Sequence, residues 1–242
     1  MNLTIDAGNT SVKAVILERD RIHRMYSFKT LSIKDLKKIF SRDEIRNSIL
    51  SSVIEVDKNT LRFLRSNSVF IHLNSSTKLP IKNKYKTPGT LGSDRLASVA
   101  GAIKIFPEKN ILVIDAGTCI KYDFINAKKE YLGGSISPGL RMRFKSLHNF
   151  TDRLPLIKPG RVNKFTGTST KDSILTGVQS GIIHEINGFI EQYQKKFRSL
   201  QVVMSGGDAA LFAEHIKSSI FAAPNLIHIG LHEIIKYNVE QE

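Results

Sequence analysis

Two short stretches of the chain carry residue types that could manage a phosphate chain. One is Leu3-Thr4-Ile5-Asp6-Ala7-Gly8-Asn9-Thr10 and the other is Leu112-Val113-Ile114-Asp115-Ala116-Gly117-Thr118. Each is an apolar run followed by Asp, Ala, Gly and an amide or hydroxyl residue, and the two lie almost half the chain apart. A short apolar run ending in Asp-x-Gly predicts a buried strand that enters a tight turn. Gly8 and Gly117 let a ligand approach the backbone without meeting a Cβ. The hydroxyls of Thr10 and Thr118, with the N–H groups of the turns, are donors for phosphate oxygens. Asp6 and Asp115 would repel a phosphate, so a cation belongs between them and it. Mg²⁺ takes one or two protein carboxylates and keeps waters and phosphates as its other ligands. For either stretch alone, an Asp that caps a turn and a Gly that punctuates it is the plainer account. Repetition of the whole pattern, each time after a strand, favours paired phosphate turns presented to one cleft by a duplicated unit.

Between the two turns lies Tyr85-Lys86-Thr87-Pro88-Gly89-Thr90-Leu91-Gly92-Ser93-Asp94-Arg95, a punctuated loop that leads into a helix over 96–106. Asp94 at that helix start could be an N-cap. Arg95 is out of place there, because the helix dipole disfavours a cation in the first turn. An anionic ligand, carboxylate or phosphate, would offset that cost.

The elements that must position these groups follow from periodicity. Residues 2–17 predict a strand–turn–strand hairpin, with Lys13 either within reach of phosphate or simply exposed, and 21–29 an edge strand. Ser32 and Asp35 form a capping-box pair before a helix with Leu36, Ile39 and Phe40 on its apolar face. A strand at 48–53, a helix at 59–66 and a strand at 69–73 complete a βββαβαβ half. After Pro107 the pattern restarts: strands at 110–114, 120–125 and 131–137, a helix at 140–147, a polar connection at 158–164, a helix at 171–197, a strand at 201–204, and helices at 209–217 and 226–239. The Gly133–Gly139 stretch is either a plain loop or a place where a ligand crosses backbone. Gly206 and Gly207 either make a strand-to-helix turn or let an adenine ring lie on bare backbone, and they are counted as candidate ATP contacts. Gly177 and Gly181, each costing about 1 kcal/mol against Ala in an exposed helix, predict another helix packed closely there, from this chain or a second subunit. The chain therefore divides into 1–107 and 108–242.

Composition narrows the classes. With 41% hydrophobic and 24% charged residues, 242 residues can build real cores. No apolar run approaches the roughly 20 residues of a membrane span, and the chain opens on a strand rather than a signal-like segment. The single cysteine, Cys119, excludes an internal disulfide and an all-cysteine zinc site. A cytoplasmic protein with no membrane partner is expected. The net charge of +14 raises nucleic acid as a partner. The basic residues are scattered, however, and no aromatic ladder interleaves with them as stacking would need. A solvated lysine-rich surface is expected, and no nucleic acid.

With these motifs placed, the chain resembles the type III pantothenate kinases of the acetate and sugar kinase/heat-shock chaperone/actin superfamily. The resemblance rests on Asp6-x-Gly8-Asn9-Thr10, Tyr85-x-x-Pro88, Gly92-x-Asp94-Arg95 and Asp115-x-Gly117-Thr118. Further along come Gly133-Gly134-x-Ile136-x-Pro138-Gly139, Leu154-Pro155, Thr170 with Gly177, and Gly206-Gly207-Asp208. It implies an α/β fold of duplicated ribonuclease H-like (actin-like ATPase) domains, mixed five-stranded sheets flanked by helices, with a cleft between the halves. It implies ATP-dependent phosphorylation of the terminal hydroxyl of pantothenate, the first step toward coenzyme A. Asp94 would be the base that takes the hydroxyl proton. Tyr85, Gly92, Ser93, Asp94, Arg95 and Thr170 would line the pantothenate site. Asp6, Ala7, Gly8, Asn9, Thr10, Ser11, Val12 and Lys13, with Thr118, would hold ATP. Mg²⁺ would accompany ATP, with Asp6 reaching it through water, and Asp115 would bind a monovalent cation, K⁺ or NH₄⁺. A homodimer is implied.

Two positions depart from the family pattern. Lys121 stands where a small hydroxyl residue is usual, and Ser205 where Thr is common. Outward, Lys121 does nothing; inward, it adds a charge at the cation position and could replace K⁺. The rival readings are a related kinase acting on a sugar or acetate, and a catalytically silent homologue working as a transcription-associated accessory factor.

Overall fold

The computed structural model describes residues 1–162 and 165–239. The polar connection expected at 158–164 lies partly outside them. Two compact units divide the chain: residues 1–108, 125–132 and 225–242 form one, and 109–124 and 133–224 the other.

The first unit is built on a sheet of β1 (Asn2–Ala7), β2 (Val12–Glu18), β3 (Arg21–Phe28), β4 (Asn47–Ser52) and β5 (Val69–His72), in the order β3-β2-β1-β4-β5. β1 pairs antiparallel with β2 and parallel with β4, so the sheet is mixed, as expected. Side chains alternate across it. Leu3, Ile5 and Leu50 face one core together with Leu36 of α1 (Ile33–Phe40) and Leu64 of α2 (Lys58–Asn67). Ile49 instead faces Ala97 and Ala100 of α3 (Ser93–Ile105) and Leu231 and Ile234 of the chain's last helix, Leu226–Val239. Ser32 and Asp35 form the expected capping box on α1.

The last helix crosses α3 at two glycines. A Cβ on Gly230 would run into the Ala97 carbonyl, and one on Gly101 into the Leu226 carbonyl. Neither glycine was singled out for this by the sequence pattern. Their common role is backbone-to-backbone approach, which periodicity does not report.

The second unit repeats the plan. β6 (Lys82–Asn83), a short strand within the first unit, precedes α3; β7 (Ile111–Ala116), β8 (Cys119–Ile125) and β9 (Glu130–Pro138) follow it. After α4 (Leu140–Asn149) and α5 (Thr170–Lys196) come β10 (Gln201–Ser205), α6 (Ala209–Ala213), β11 (Phe221–Ala222) and α7 (Leu226–Val239), the helix that returns to the first unit. The second sheet has six strands, in the order β11-β10-β7-β8-β9-β6, where five were expected; the sixth is β6, two residues that pair parallel with Glu130 and Tyr131 at the start of β9. Ile114, Tyr122, Phe144, Ile182 and Met204 anchor its core.

Two helix bounds differ from expectation by three residues or more. α3 starts at Ser93 rather than 96, because the Gly92 carbonyl already accepts from the N–H groups of Arg95 (3.2 Å) and Leu96 (3.5 Å). α6 ends at Ala213 rather than 217. His215 and Ile216 donate three residues back, to Phe212 and Ala213, and the side-chain oxygen of Asn187 on α5 accepts the Lys217 N–H at 3.0 Å. Tightened i→i+3 turns with an outside acceptor end the α-ladder there.

Candidate active site

In the first unit, Asp6 stands one residue from the end of β1, opposite Lys13 on β2 and Ser51 on β4. The turn after it closes through the Gly8 N–H, which donates to the Ser11 carbonyl at 3.1 Å. Asn9 and Thr10 are exposed on that turn, Ala7 and Val12 are buried beneath it, and Lys13 is exposed.

The start of α3 is tied to the same edge of the sheet. The Ser93 hydroxyl lies 2.9 Å from the Ser51 hydroxyl and accepts the Ser52 N–H at 3.1 Å. Ser51 is the register neighbour of Asp6. The Asp6–Thr10 turn and the Gly-x-Asp-Arg segment thus meet at the carboxyl ends of two adjacent parallel strands, where α/β sheets bind ligands.

Asp94 is not the N-cap. Gly92 holds that position and makes no side-chain cap. Asp94 sits in the first turn, and its Oδ1 accepts the Arg95 N–H at 2.9 Å. Arg95 is 4% exposed, with its guanidinium 5.6 Å from the centre of the Tyr85 ring, which in turn stacks on Tyr131 at 6.1 Å. The cation that the dipole argument found out of place is therefore buried and held over an aromatic face. A depression of about 340 Å³ opens beside this helix start, lined by Ser52, Asn74, Pro88, Gly92 and Ser93 among others.

In the second unit, three glycine motifs converge on one turn. Gly117 donates to the Cys119 carbonyl at 3.1 Å, closing the β7–β8 hairpin. Gly139 donates to the Thr118 carbonyl at 3.1 Å, and a Cβ there would strike the carbonyls of Gly117 and Thr118. Gly206, at φ +98°, presses on Ala116 so closely that a Cβ would meet its backbone, and the Asp208 N–H donates to the Ala116 carbonyl at 2.9 Å. Gly139 and Gly206 thus buttress the Asp115–Thr118 turn. Gly207 is open, with nothing within 4 Å of a Cβ. Thr170 is the first residue of α5 and is exposed.

Asp115 lies at the end of β7, opposite Ser205 on β10. Lys121 points inward from β8, with its Nζ 2.6 Å from Asp115 Oδ2. Among the described residues no three His, Cys, Asp or Glu side chains gather as a metal site.

A network unseen in the sequence fixes the Gly133–Gly139 stretch. Glu185 on α5 accepts from Tyr122 (2.8 Å), Ser137 (2.5 Å) and Arg143 (2.5 Å), and Arg143 also donates to the Pro138 carbonyl at 2.8 Å. Burial raises the Glu185 carboxyl, but the Ser137, Arg143 and Tyr122 hydrogen bonds outweigh it and hold the group below its ordinary value. Burial and the Glu185 carboxylate push the Tyr122 phenol up. Four residues on four elements, at no regular spacing, left no signal to read.

This architecture is shared with solved structures. A conserved Baf family protein from Campylobacter jejuni superposes with a TM-score of 0.64 at 21% identity, covering 98% of this chain and 99% of that one. MreB5 of Spiroplasma citri, bound to ADP, gives 0.53 at 12% identity, covering 100% and 98%. The fold is that of the actin-like ATPases. The family model for type III pantothenate kinase matches residues 2–192. Relatives carrying that name include one from Christiangramia forsetii, 44% identical over 100% of both chains, and one from Bacteroides fragilis, 41% identical over 98% of both. The chain belongs to the type III pantothenate kinase family.

Proposed function

We propose that the protein is an ATP-dependent pantothenate kinase. It transfers the γ-phosphate of ATP to the terminal hydroxyl of pantothenate, giving 4′-phosphopantothenate in the first step of coenzyme A biosynthesis. Beside family membership, one observation carries this reading: the Ser93–Ser51 hydrogen bond ties the Asp94 helix start to the strand beside Asp6. Phosphoryl transfer asks little covalent chemistry of a protein; positioning and charge stabilisation do most of the work.

In this reading Asp94 orients the acceptor hydroxyl and takes its proton. Arg95, buried against Tyr85, receives the pantothenate carboxylate, and Gly92, Ser93 and Thr170 complete the acceptor site. ATP is held by residues 6–13 and by Thr118, Gly206 and Gly207. Mg²⁺ would be held by the phosphates and, through water, by Asp6. A single carboxylate at a glycine turn suits an ion that keeps most of its water and phosphate ligands. Mg²⁺ would supply neutralisation of the developing phosphate charge. The monovalent cation that the family resemblance implies would stand beside the Asp115 carboxylate, where Lys121 Nζ lies in this chain.

The proposed assembly is a homodimer acting in the cytoplasm. Gly177, Gly181 and Gly188 lie on α5 with nothing within 4 Å of an added Cβ, a surface bare enough for a second helix to approach. No described helix is long and apolar enough to cross a membrane.

The test is a substrate panel. The protein with Mg²⁺ and ATP is given pantothenate, acetate, hexoses and N-acetylhexosamines, and products are identified by mass spectrometry. Phosphopantothenate alone is expected. A phosphorylated sugar or acetyl phosphate as the main product would overturn the reading.

A further inference from the structure

A monovalent ion at Asp115 is what the family resemblance implies, and the donor set in this chain does not fit one. The place beside the carboxylate is taken: Lys121 Nζ lies 2.6 Å from Asp115 Oδ2, with the two side chains only 16% and 10% exposed. That is a direct, charge-assisted contact. A lysine so covered is unusual, since lysine is almost never buried without a partner.

We propose that the Lys121 ammonium is this protein's own monovalent cation, so that the enzyme needs neither K⁺ nor NH₄⁺. The inference rests on the reading of Asp115–Thr118 as a phosphate turn. A triphosphate brought to that turn meets Asp115, and two negative charges at such range repel strongly once water is excluded. A cation must stand between them. A lysine ammonium is a compact point charge with three rotatable donors, chemically an NH₄⁺ ion on a tether. Tethering removes the entropy of capturing a free ion and the dependence on its concentration.

The two hairpins support a specific role for Lys121. In the first, Asp6 and Lys13 are register partners across β1 and β2, but Lys13 is exposed. In the second unit Lys121 is drawn in onto Asp115. The turn that carries Asp115 is also the one that Gly139 and Gly206 brace, so the pair is set in a fixed frame.

The experiment measures turnover and, separately, ATP affinity by calorimetry, each in KCl and in choline chloride. Wild-type turnover and ATP affinity are expected to be the same in both salts. In Lys121→Ser, which opens the space and restores a small hydroxyl, both are expected to fall in choline chloride and recover with K⁺ or NH₄⁺, by about 10- to 100-fold in ATP affinity, the usual range for coupling between sites. Wild-type protein that needs K⁺ for turnover, or that binds ATP more tightly in K⁺, would overturn the proposal even if the variant does not fold. Absence of pantothenate phosphorylation in every salt, with ATP binding indifferent to K⁺, would overturn the kinase reading and leave the cation assignment standing.

Discussion

A Cβ placed on Gly92 would stand 2.5 Å from Oδ1 of Asp94. Gly92 has an ordinary φ of −58°, so no backbone freedom requires glycine there. What requires it is the Asp94 carboxylate, which folds back over the helix start to accept the Arg95 N–H. The Gly-x-Asp of this segment is thus a steric rule: the first residue stays small so that the third can hold its carboxylate in place.

Gly92→Ala should therefore displace that carboxylate without unfolding the helix, since the far end of Asp94 can swing away. Misplacing a catalytic group by about 1 Å costs up to roughly 100-fold in rate. The expected outcome is kcat lowered by about 10- to 100-fold with an unchanged melting temperature. Steady-state kinetics beside a thermal melt check it.

Arg95→Lys keeps the charge and loses the planar fork and the stacking on Tyr85. If Arg95 receives the pantothenate carboxylate, KM for pantothenate should rise by about 10- to 100-fold, the worth of a hydrogen bond to a charged group. KM for ATP should hardly move. Equal rises in both would contradict the assignment.

Glu185→Gln keeps the shape of the side chain and removes the charge that Arg143, Ser137 and Tyr122 share. Loss of a charge-assisted hydrogen bond of this kind costs about 1–3 kcal/mol. Denaturant unfolding should show a lower midpoint with an unchanged slope. Arg143 also braces the Pro138 carbonyl next to Gly139, so ATP binding should weaken modestly.

His228 gives the fold a pH dependence. It lies on α7, with Nδ1 2.9 Å from the Thr4 hydroxyl and no partner for Nε2 among the described residues. Burial, assisted by the Lys13 charge, pushes it down from 6.5 to about 4. The unfolded chain then binds a proton in that window and the folded chain does not. Stability should be complete above about pH 6.5 and fall as pH drops toward 4, by on the order of 3 kcal/mol across the window. Urea unfolding at stepped pH should show that slope, and His228→Gln should flatten it.

How far the sequence spoke depends on what kind of feature is asked for. The hairpins, the capping box at Ser32 and the order βββαβαβ were legible because each is written in local periodicity or a fixed offset. The candidate residues were legible because turns need glycine and cations need carboxylates. Contacts between distant backbones were not. Gly101 and Gly230 cross at α3 and α7 and read as ordinary helix glycines. Gly139 reads as a loop until the Thr118 carbonyl is found against it. Lys121 could have faced either way from a hairpin strand. Only the folded pair with Asp115 decides it, since strand alternation names two faces and does not say which one holds the ligand.

The central claim is that Asp94 is the base of a pantothenate kinase, and one comparison tests it directly. Phosphopantothenate formation is measured for wild-type protein and Asp94→Asn at saturating ATP and Mg²⁺, with ATP affinity measured on the same preparations. The account predicts turnover by the wild type, a fall of about 10²- to 10⁴-fold in the variant, the usual worth of general-base catalysis, and nearly equal ATP affinity. Undiminished turnover in Asp94→Asn, or none from the folded wild-type protein, would contradict it.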